Sequence, residues 1–169
     1  RLGIGADTPV VFAVGRLGEK KGFAYLIDAI PRLAHDYPAL RLLIAGSGDL
    51  AHALQARATA LGAADRVTLL GNVPHDDVPN LLAAADVAVA PSIRDDAGNV
   101  DGLPNTVMEM MASAVPLVTT NAGGIGAVVE DGVTARVVGE RDPVALAEAI
   151  DALLRRPSLG REMGERARV

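Results

Sequence analysis

Short runs of consecutive apolar, largely β-branched residues alternate along this chain with longer stretches in which apolar residues recur every third or fourth position. The first pattern marks strands covered on both faces, and the second marks helices with one apolar stripe. The runs predict strands over Val10–Val14, Arg41–Ala45, Val67–Leu70, Val87–Ala90, Pro116–Thr119 and Ala135–Val138. Helices are expected to begin near Gly22, Leu50, Asp76, Pro104, Ile125 and Pro143, with a last one after Ser158. In the first, Phe23, Leu26, Ile27, Ile30 and Leu33 share a face. Pro31 is expected to kink or divide that helix, because it lacks an N–H and its ring crowds a carbonyl of the preceding turn. Asp142-Pro143 reads as an N-cap followed by a first-turn proline. Strands alternating with helices predict an α/β domain with a parallel sheet, in which ligands lie at the carboxyl ends of the strands.

Composition narrows the classes of function. The 169 residues are half apolar, which suffices for one domain with a full core, and no repeat, linker or low-complexity segment divides them. Two Tyr, two Phe and no Trp leave little with which to stack single-stranded nucleic acid, and a net charge of -5 disfavours a phosphate backbone as partner. Nucleic acid is therefore not expected. The lack of cysteine removes disulfides, thiolate metal sites and Cys nucleophiles, and fits a reducing, cytoplasmic setting. The longest apolar stretch, Leu81 to Ala90, is broken by Asp86 and is too short to span a bilayer, so no integral membrane segment is expected. The chain begins Arg1-Leu2-Gly3 rather than Met, which reads as a piece of a longer protein.

Candidate chemistry follows the strands. After the first comes Gly15-Arg16-Leu17-Gly18-Glu19-Lys20-Lys21-Gly22, where Arg16 and Lys21 could clamp a diphosphate or form part of a solvated basic turn. Lys20 reads as the solvated member. After the second, Gly46-Ser47-Gly48 starts like a dinucleotide fingerprint, but Ala51 stands where a third glycine belongs and no acid ends the next strand. A tight turn or close backbone approach to a ligand remains. Gly71-Asn72-Val73-Pro74 could pair with a nucleobase edge or simply cap the helix at Asp76. His35, His52 and His75 have no partners at metal-ligand spacing and read as surface residues. Asp95 and Asp96 lie in a Gly/Asn loop without a third ligand, so a solvated turn is expected there rather than a metal. Asn121-Ala122-Gly123-Gly124 is a further glycine-rich entry whose amides could meet a ligand or turn the chain.

The segment after the fourth strand is the most distinctive. Asp101 and Glu109 bracket Gly102-Leu103-Pro104-Asn105-Thr106, a turn that opens a helix. One carboxylate is expected in the loop above the helix N-terminus, with the other facing inward two turns later. A ligand with a central diphosphate and hydroxyl-bearing sugars at its ends suits that arrangement.

Taken in order, Gly15-Arg16-Leu17 with Lys21-Gly22, Ala45-Gly46-Ser47-Gly48, Gly71-Asn72-Val73, Ala85-Asp86-Val87 with Pro91-Ser92, Asp101 to Asn105 with Glu109, Ala122-Gly123-Gly124 and Glu130-Asp131-Gly132 carry a resemblance. From about Val10 to about Ala167 the chain resembles the C-terminal domain of retaining group 1 glycosyltransferases, family GT4, of GT-B architecture. The resemblance implies a single Rossmann-like three-layer domain with a parallel six-stranded sheet over residues 1–169, binding a nucleoside diphosphate sugar, with UDP-sugar favoured. Arg16 and Lys21 match the family's phosphate-binding and leaving-group-stabilising pair, and Glu109 its ribose-binding carboxylate. Asp101 stands at the first Glu of the family's Glu-x7-Glu motif, near the transferred sugar, and Gly102, Leu103, Pro104, Asn105 and Thr106 supply contacts there. Asn72 and Val73 match the base-contacting segment, and Gly15 and Gly46 the glycines lining the donor.

Two departures qualify the match. Asp101 shortens the expected Glu by one methylene, about 1.5 Å of reach, and Met110 replaces the usual Ala. The resemblance also implies an N-terminal acceptor domain that this chain lacks, so the isolated domain is expected to be inactive. The acceptor, whether a sugar, a lipid-linked or a small molecule, would bind there, and the full-length protein could sit peripherally at a membrane. No cofactor and no metal are expected. Two other readings stay open: a non-catalytic nucleotide-sugar binding or regulatory module, and a GT-B-like sugar-nucleotide epimerase.

Overall fold

The computed structural model describes residues 4, 5 and 7–168, so Arg1–Gly3, which bear the expectation of a longer parent chain, lie outside the described residues. Six strands, β1 (Val10–Val14), β2 (Arg41–Ala45), β3 (Val67–Gly71), β4 (Val87–Ala90), β5 (Leu117–Thr120) and β6 (Arg136–Val138), form one sheet in the order β3-β2-β1-β4-β5-β6. Every pairing is parallel. The helices are α1 (Phe23–Leu33), α2 (Ala51–Ala60), α3 (Val78–Ala83), α4 (Asn105–Ala112), α5 (Pro143–Arg155) and α6 (Pro157–Ala167).

Side chains alternate across each strand, so a continuous apolar run feeds two cores. Val11 and Ala13 of β1, Leu42 and Ile44 of β2, and Val87 and Val89 of β4 pack with α1, α2 and α5 on one face. Val10 and Phe12, Leu43, and Ala88 and Ala90 pack with α3 and α4 on the other. Helix α6 packs beside the entry to β5, giving Met163 to the first core and Ala167 to the second. The three-layer α/β architecture is the expected one.

Three local expectations change. Pro31 neither kinks nor divides α1, which runs unbroken to Leu33 and is continued by Ala34 N donating to Ile30 O at 3.1 Å. Ile27, Ile30 and Leu33 are buried while Pro31 faces solvent, so packing of the apolar face outweighs one missing bond. The helix expected at Ile125 is only a 3-10 turn, Ile125–Ala127. Glycines at 123, 124 and 126 disfavour a longer helix, and Glu130 O then accepts from Val133 N (3.1 Å) and Thr134 N (3.0 Å) to turn the chain into β6. Helix α6 begins at Pro157 instead of after Ser158, because proline is well suited to the first helical turn.

Strand order reverses between β1, which continues outward to β2 and β3, and β4, which leads to β5 and β6. Such a reversal directs a ligand to the carboxyl edge, where the loops leaving β1 and β4 touch, Ile93 N donating to Lys20 O at 2.9 Å.

Candidate functional site

Loops after β1, β2 and β3 are stitched to one another. Gly15 N donates to Ala45 O (3.0 Å), Leu17 N to Ser47 O (2.9 Å), Gly46 N to Gly71 O (2.7 Å) and Leu50 N to Leu17 O (3.1 Å). These bonds use the glycine-rich turns to bring strand ends close, and they leave above them a cleft of about 520 Å³. Val14, Gly15, Arg16, Ala45, Gly46, Ser47, Gly48, Asn72 and Val73 line it. Five of the expected donor-site residues, Gly15, Arg16, Gly46, Asn72 and Val73, are thus brought together. Arg16 is largely exposed, with its guanidinium 3.8 Å from Asp49.

The second cluster borders this cleft. Lys20 and Lys21 belong to the 3-10 turn Glu19–Lys21, and both reach Asp101: Lys20 Nζ lies 3.0 Å from Oδ1 and Lys21 Nζ 2.6 Å from Oδ2. Lys20 is therefore not the solvated residue expected from its place in a basic turn. Burial pushes the Asp101 carboxyl up, but hydrogen bonds and charge from Lys21 and Lys20 outweigh it and hold it below the usual carboxylate range. The Lys21 stem runs beside Gly15, where a β-carbon would lie 3.5 Å from Lys21 Cδ and Cε. Arg16 and Lys21 accordingly flank the same glycine, with Arg16 turned toward Asp49 and Lys21 toward Asp101.

The Asp101 backbone is held from beneath by the loop after β5. Gly123 adopts φ 59°, and a β-carbon there would stand 2.0 Å from Asp101 O. Gly124 N donates to Gly102 O at 3.0 Å, so that amide turns the chain rather than meeting a ligand. Helix α4 then starts at Asn105 from an extended Pro104, with no side chain capping its first amides. Uncapped N–H groups at a helix start favour an anion. Leu103 is partly exposed in this loop, as are Gly102, Asn105 and Thr106 around it.

Glu109, half-buried on α4, is not among the residues that line the cleft; its Oε1 lies 3.9 Å from His75 Nδ1. His75 is a surface residue as expected, and the fold sets its turn, His75–Asp77, beside α4. Asp95 closes its own loop by accepting from Asn99 N (2.7 Å) and Asn99 Nδ2 (3.1 Å). Asp96 pairs with Arg141 at 2.8 Å. Among the described residues no three His, Cys, Asp or Glu side chains gather to hold a metal ion.

The segment leading to Asp101 is fastened along its length. Ile93 N donates to Lys20 O (2.9 Å), Arg94 N to Glu140 Oε2 (2.7 Å), and Arg141 Nη2 to Arg94 O (2.8 Å). Arg141 also donates to Tyr25 Oη at 3.1 Å. Beneath it, buried Thr119 and Thr120 donate to Ala90 O (2.9 Å) and Ser92 O (2.5 Å). Glu140, Arg141 and Thr120 carry no signal in the sequence, whereas Lys20 is visible there in the Lys20-Lys21 doublet but reads as solvated.

The full 169 residues match the family model for glycosyl transferases group 1. The chain is 37% identical over 165 residues to the GDP-mannose-dependent alpha-(1-6)-phosphatidylinositol monomannoside mannosyltransferase of Mycolicibacterium smegmatis, covering 97% of this chain and 43% of that protein. It superposes on Anabaena HepE, solved in complex with UDP, with a TM-score of 0.86 and 26% identity over 96% of this chain and 43% of HepE. At the level of fold alone, a TM-score of 0.83 at 19% identity relates it to the C-terminal domain of the group 1 protein LpcC of Francisella tularensis, over 95% of this chain and 82% of that one. The chain thus spans under half the length of the mannosyltransferase and of HepE. Among the described residues no helix is long and apolar enough to cross a membrane. With the motifs in order, the parallel sheet and the match along its whole length, this chain belongs to the group 1 glycosyltransferase family.

Proposed function

We propose that this chain is the donor-binding half of a retaining glycosyltransferase, taking a nucleoside diphosphate sugar in the cleft above β1, β2 and β3. The observation that carries this reading is the cleft of about 520 Å³ whose floor, Gly15, is flanked by two cations, Arg16 and Lys21. A base would lie toward Asn72 and Val73, its ribose toward Glu109, and the transferred sugar toward Asp101 and the Gly102–Thr106 turn. The likeness to a UDP complex and to a GDP-mannose-dependent enzyme supports a nucleotide donor, UDP-sugar by default.

In this reading the domain makes the leaving group good. As the glycosidic bond breaks, negative charge builds on the β-phosphate, and Arg16, Lys21 and the first amides of α4 stabilise it. Two side-chain cations supply the neutralisation a metal would otherwise provide. The acceptor is held by a domain outside this chain, which accounts for its spanning 43% of the mannosyltransferase. The isolated domain therefore binds donor without transferring it.

Calorimetric titration of the domain with UDP, GDP and ADP tests the site, and at least one is expected to bind. Folded protein that binds none overturns the reading. In the full-length enzyme, Arg16→Ala or Lys21→Ala is expected to lower the transfer rate roughly 10²–10³-fold, the cost of losing one preorganised donor.

A further inference from the structure

Two lysine ammonium groups converge on the two oxygens of one carboxylate, at 3.0 Å for Lys20 and 2.6 Å for Lys21. The pair is sheltered: the Lys21 side chain is 20% exposed and that of Asp101 23%, against 76% for Arg16. Two positive charges meet one negative charge, so the cluster keeps a net positive charge at the edge of the cleft. Lys21 cannot coordinate a phosphate fully while it holds Asp101.

We propose that Lys20 and Lys21 together form a seat for the donor's diphosphate, and that the Asp101 carboxylate is a built-in anion which the diphosphate displaces. This rests on the donor-binding reading above and adds Lys20 to it. The backbone makes displacement a side-chain event. Asp101 O is backed by Gly123, at the 2.0 Å a β-carbon there would leave, and Gly102 O is bonded by Gly124 N at 3.0 Å. The turn bearing the lysines is tied by Lys20 O to Ile93 N at 2.9 Å. With both backbones held, rotation of the short Asp101 side chain is the motion that opens the seat.

Charge decides which anion wins. A diphosphate brings more negative charge and more acceptor oxygens than one carboxylate, so it forms stronger charge-assisted hydrogen bonds to the two ammonium groups. Asp101, once released beside a polyanion, is repelled from it and turns toward hydroxyl donors, which a sugar presents. When the diphosphate leaves, the carboxylate reclaims the lysines. Donor binding is thereby weakened, and release of the nucleotide product is helped by an internal competitor.

The test uses the domain, UDP and inorganic pyrophosphate, with folding of each variant checked by circular dichroism. Lys20→Ala is expected to weaken both ligands roughly three- to tenfold, the scale of one net hydrogen bond, because the Lys20 side chain is 41% exposed. Asp101→Asn is expected to tighten both by a similar factor, and the Lys20→Ala loss should persist in the Asp101→Asn background. A Lys20 that merely neutralises Asp101 would lose its effect in that background, which overturns the proposal. A crystal structure of the UDP complex supplies the second readout: Asp101 should stand away from Lys21 Nζ, and an intact pair in the complex also overturns it. Absence of UDP binding by the unsubstituted domain sinks the donor reading itself, whereas binding without these effects sinks only the displacement.

Discussion

A β-carbon on Gly46 would lie 1.9 Å from the carbonyl oxygen of Gly15. The two glycines thus press the ends of β1 and β2 together under the cleft, with Gly46 at φ 135°. Gly46→Ala combines a disfavoured backbone with a collision against main chain that cannot move aside. It is expected to cost about 2–4 kcal/mol, read as a lower denaturant midpoint, and to weaken nucleotide binding. An alanine variant of unchanged stability would show that the strand ends can separate freely.

Asp86 joins β1 to the segment entering β4. Val10 N donates to its Oδ2 at 2.7 Å, and Asp86 N donates to Val10 O at 2.9 Å. Val10 is buried, so Asp86→Ala leaves its amide without a partner, at a cost of about 1–3 kcal/mol. Asp86→Asn keeps an acceptor oxygen and should lose clearly less in equilibrium urea unfolding. Equal losses from the two substitutions would mean that the hydrogen bond is not what matters.

Tyr37, beyond the end of α1, donates to Asp151 Oδ1 of α5 at 2.8 Å. Burial first, and then the hydrogen bond and charge of Asp151, push its phenol up to about 12. The unfolded phenol titrates near pH 10, so the folded state holds this proton more tightly. Its stabilising contribution is full below about pH 10 and is lost as pH rises through about 12. Tyr37→Phe should flatten the fall in urea midpoint over that window, and an unchanged alkaline slope would refute the assignment.

Arg141 fastens the loop that leads to Asp101, donating to Arg94 O and Asp96 Oδ1 at 2.8 Å each. It does so from a left-handed backbone, φ 59°, which is costly for a residue with a side chain. Arg141→Ala keeps the strain and loses the contacts, whereas Arg141→Gly loses both. The glycine variant should be the more stable of the two by about 0.5–1 kcal/mol. In both, amides of Arg94 to Asn99 should exchange roughly tenfold faster with solvent. Exchange equal to that of the unsubstituted protein would show that the loop holds itself through Asp95 and Asn99.

Much of this was legible in local pattern. The β-branched runs placed all six strands to within a residue or so of their ends, and Asp142-Pro143 marked the start of α5, where Asp142 Oδ1 accepts from Ala145 N at 2.9 Å. Pro31 misled because its cost is local, whereas the burial of Ile27, Ile30 and Leu33 that overrides it is tertiary. Ile125 misled for a related reason: apolar residues near glycines suggest a helix start, yet Ile125 is buried from within a single turn.

Within the site, the motifs named the residues but not their partners. Arg16, Asn72 and Val73 could be assigned to one cleft because each follows a strand, and a parallel sheet brings all such loops to one edge. Lys20 with Asp101, Arg141 with Asp96, and His75 with Glu109 could not, since each pair is distant in sequence and depends on side-chain direction.

Apolar periodicity and ordered glycine turns are local properties of the chain, so the alternation of strands and helices, the parallel sheet and the family could be read from residue order alone. That both lysines of the first loop hold Asp101, and that Gly46 and Gly123 serve close backbone contact as well as turning, emerges from the folded arrangement. Those outcomes depend on how loops from different strands meet at the carboxyl edge, where a change of an ångström or two determines which charge finds which.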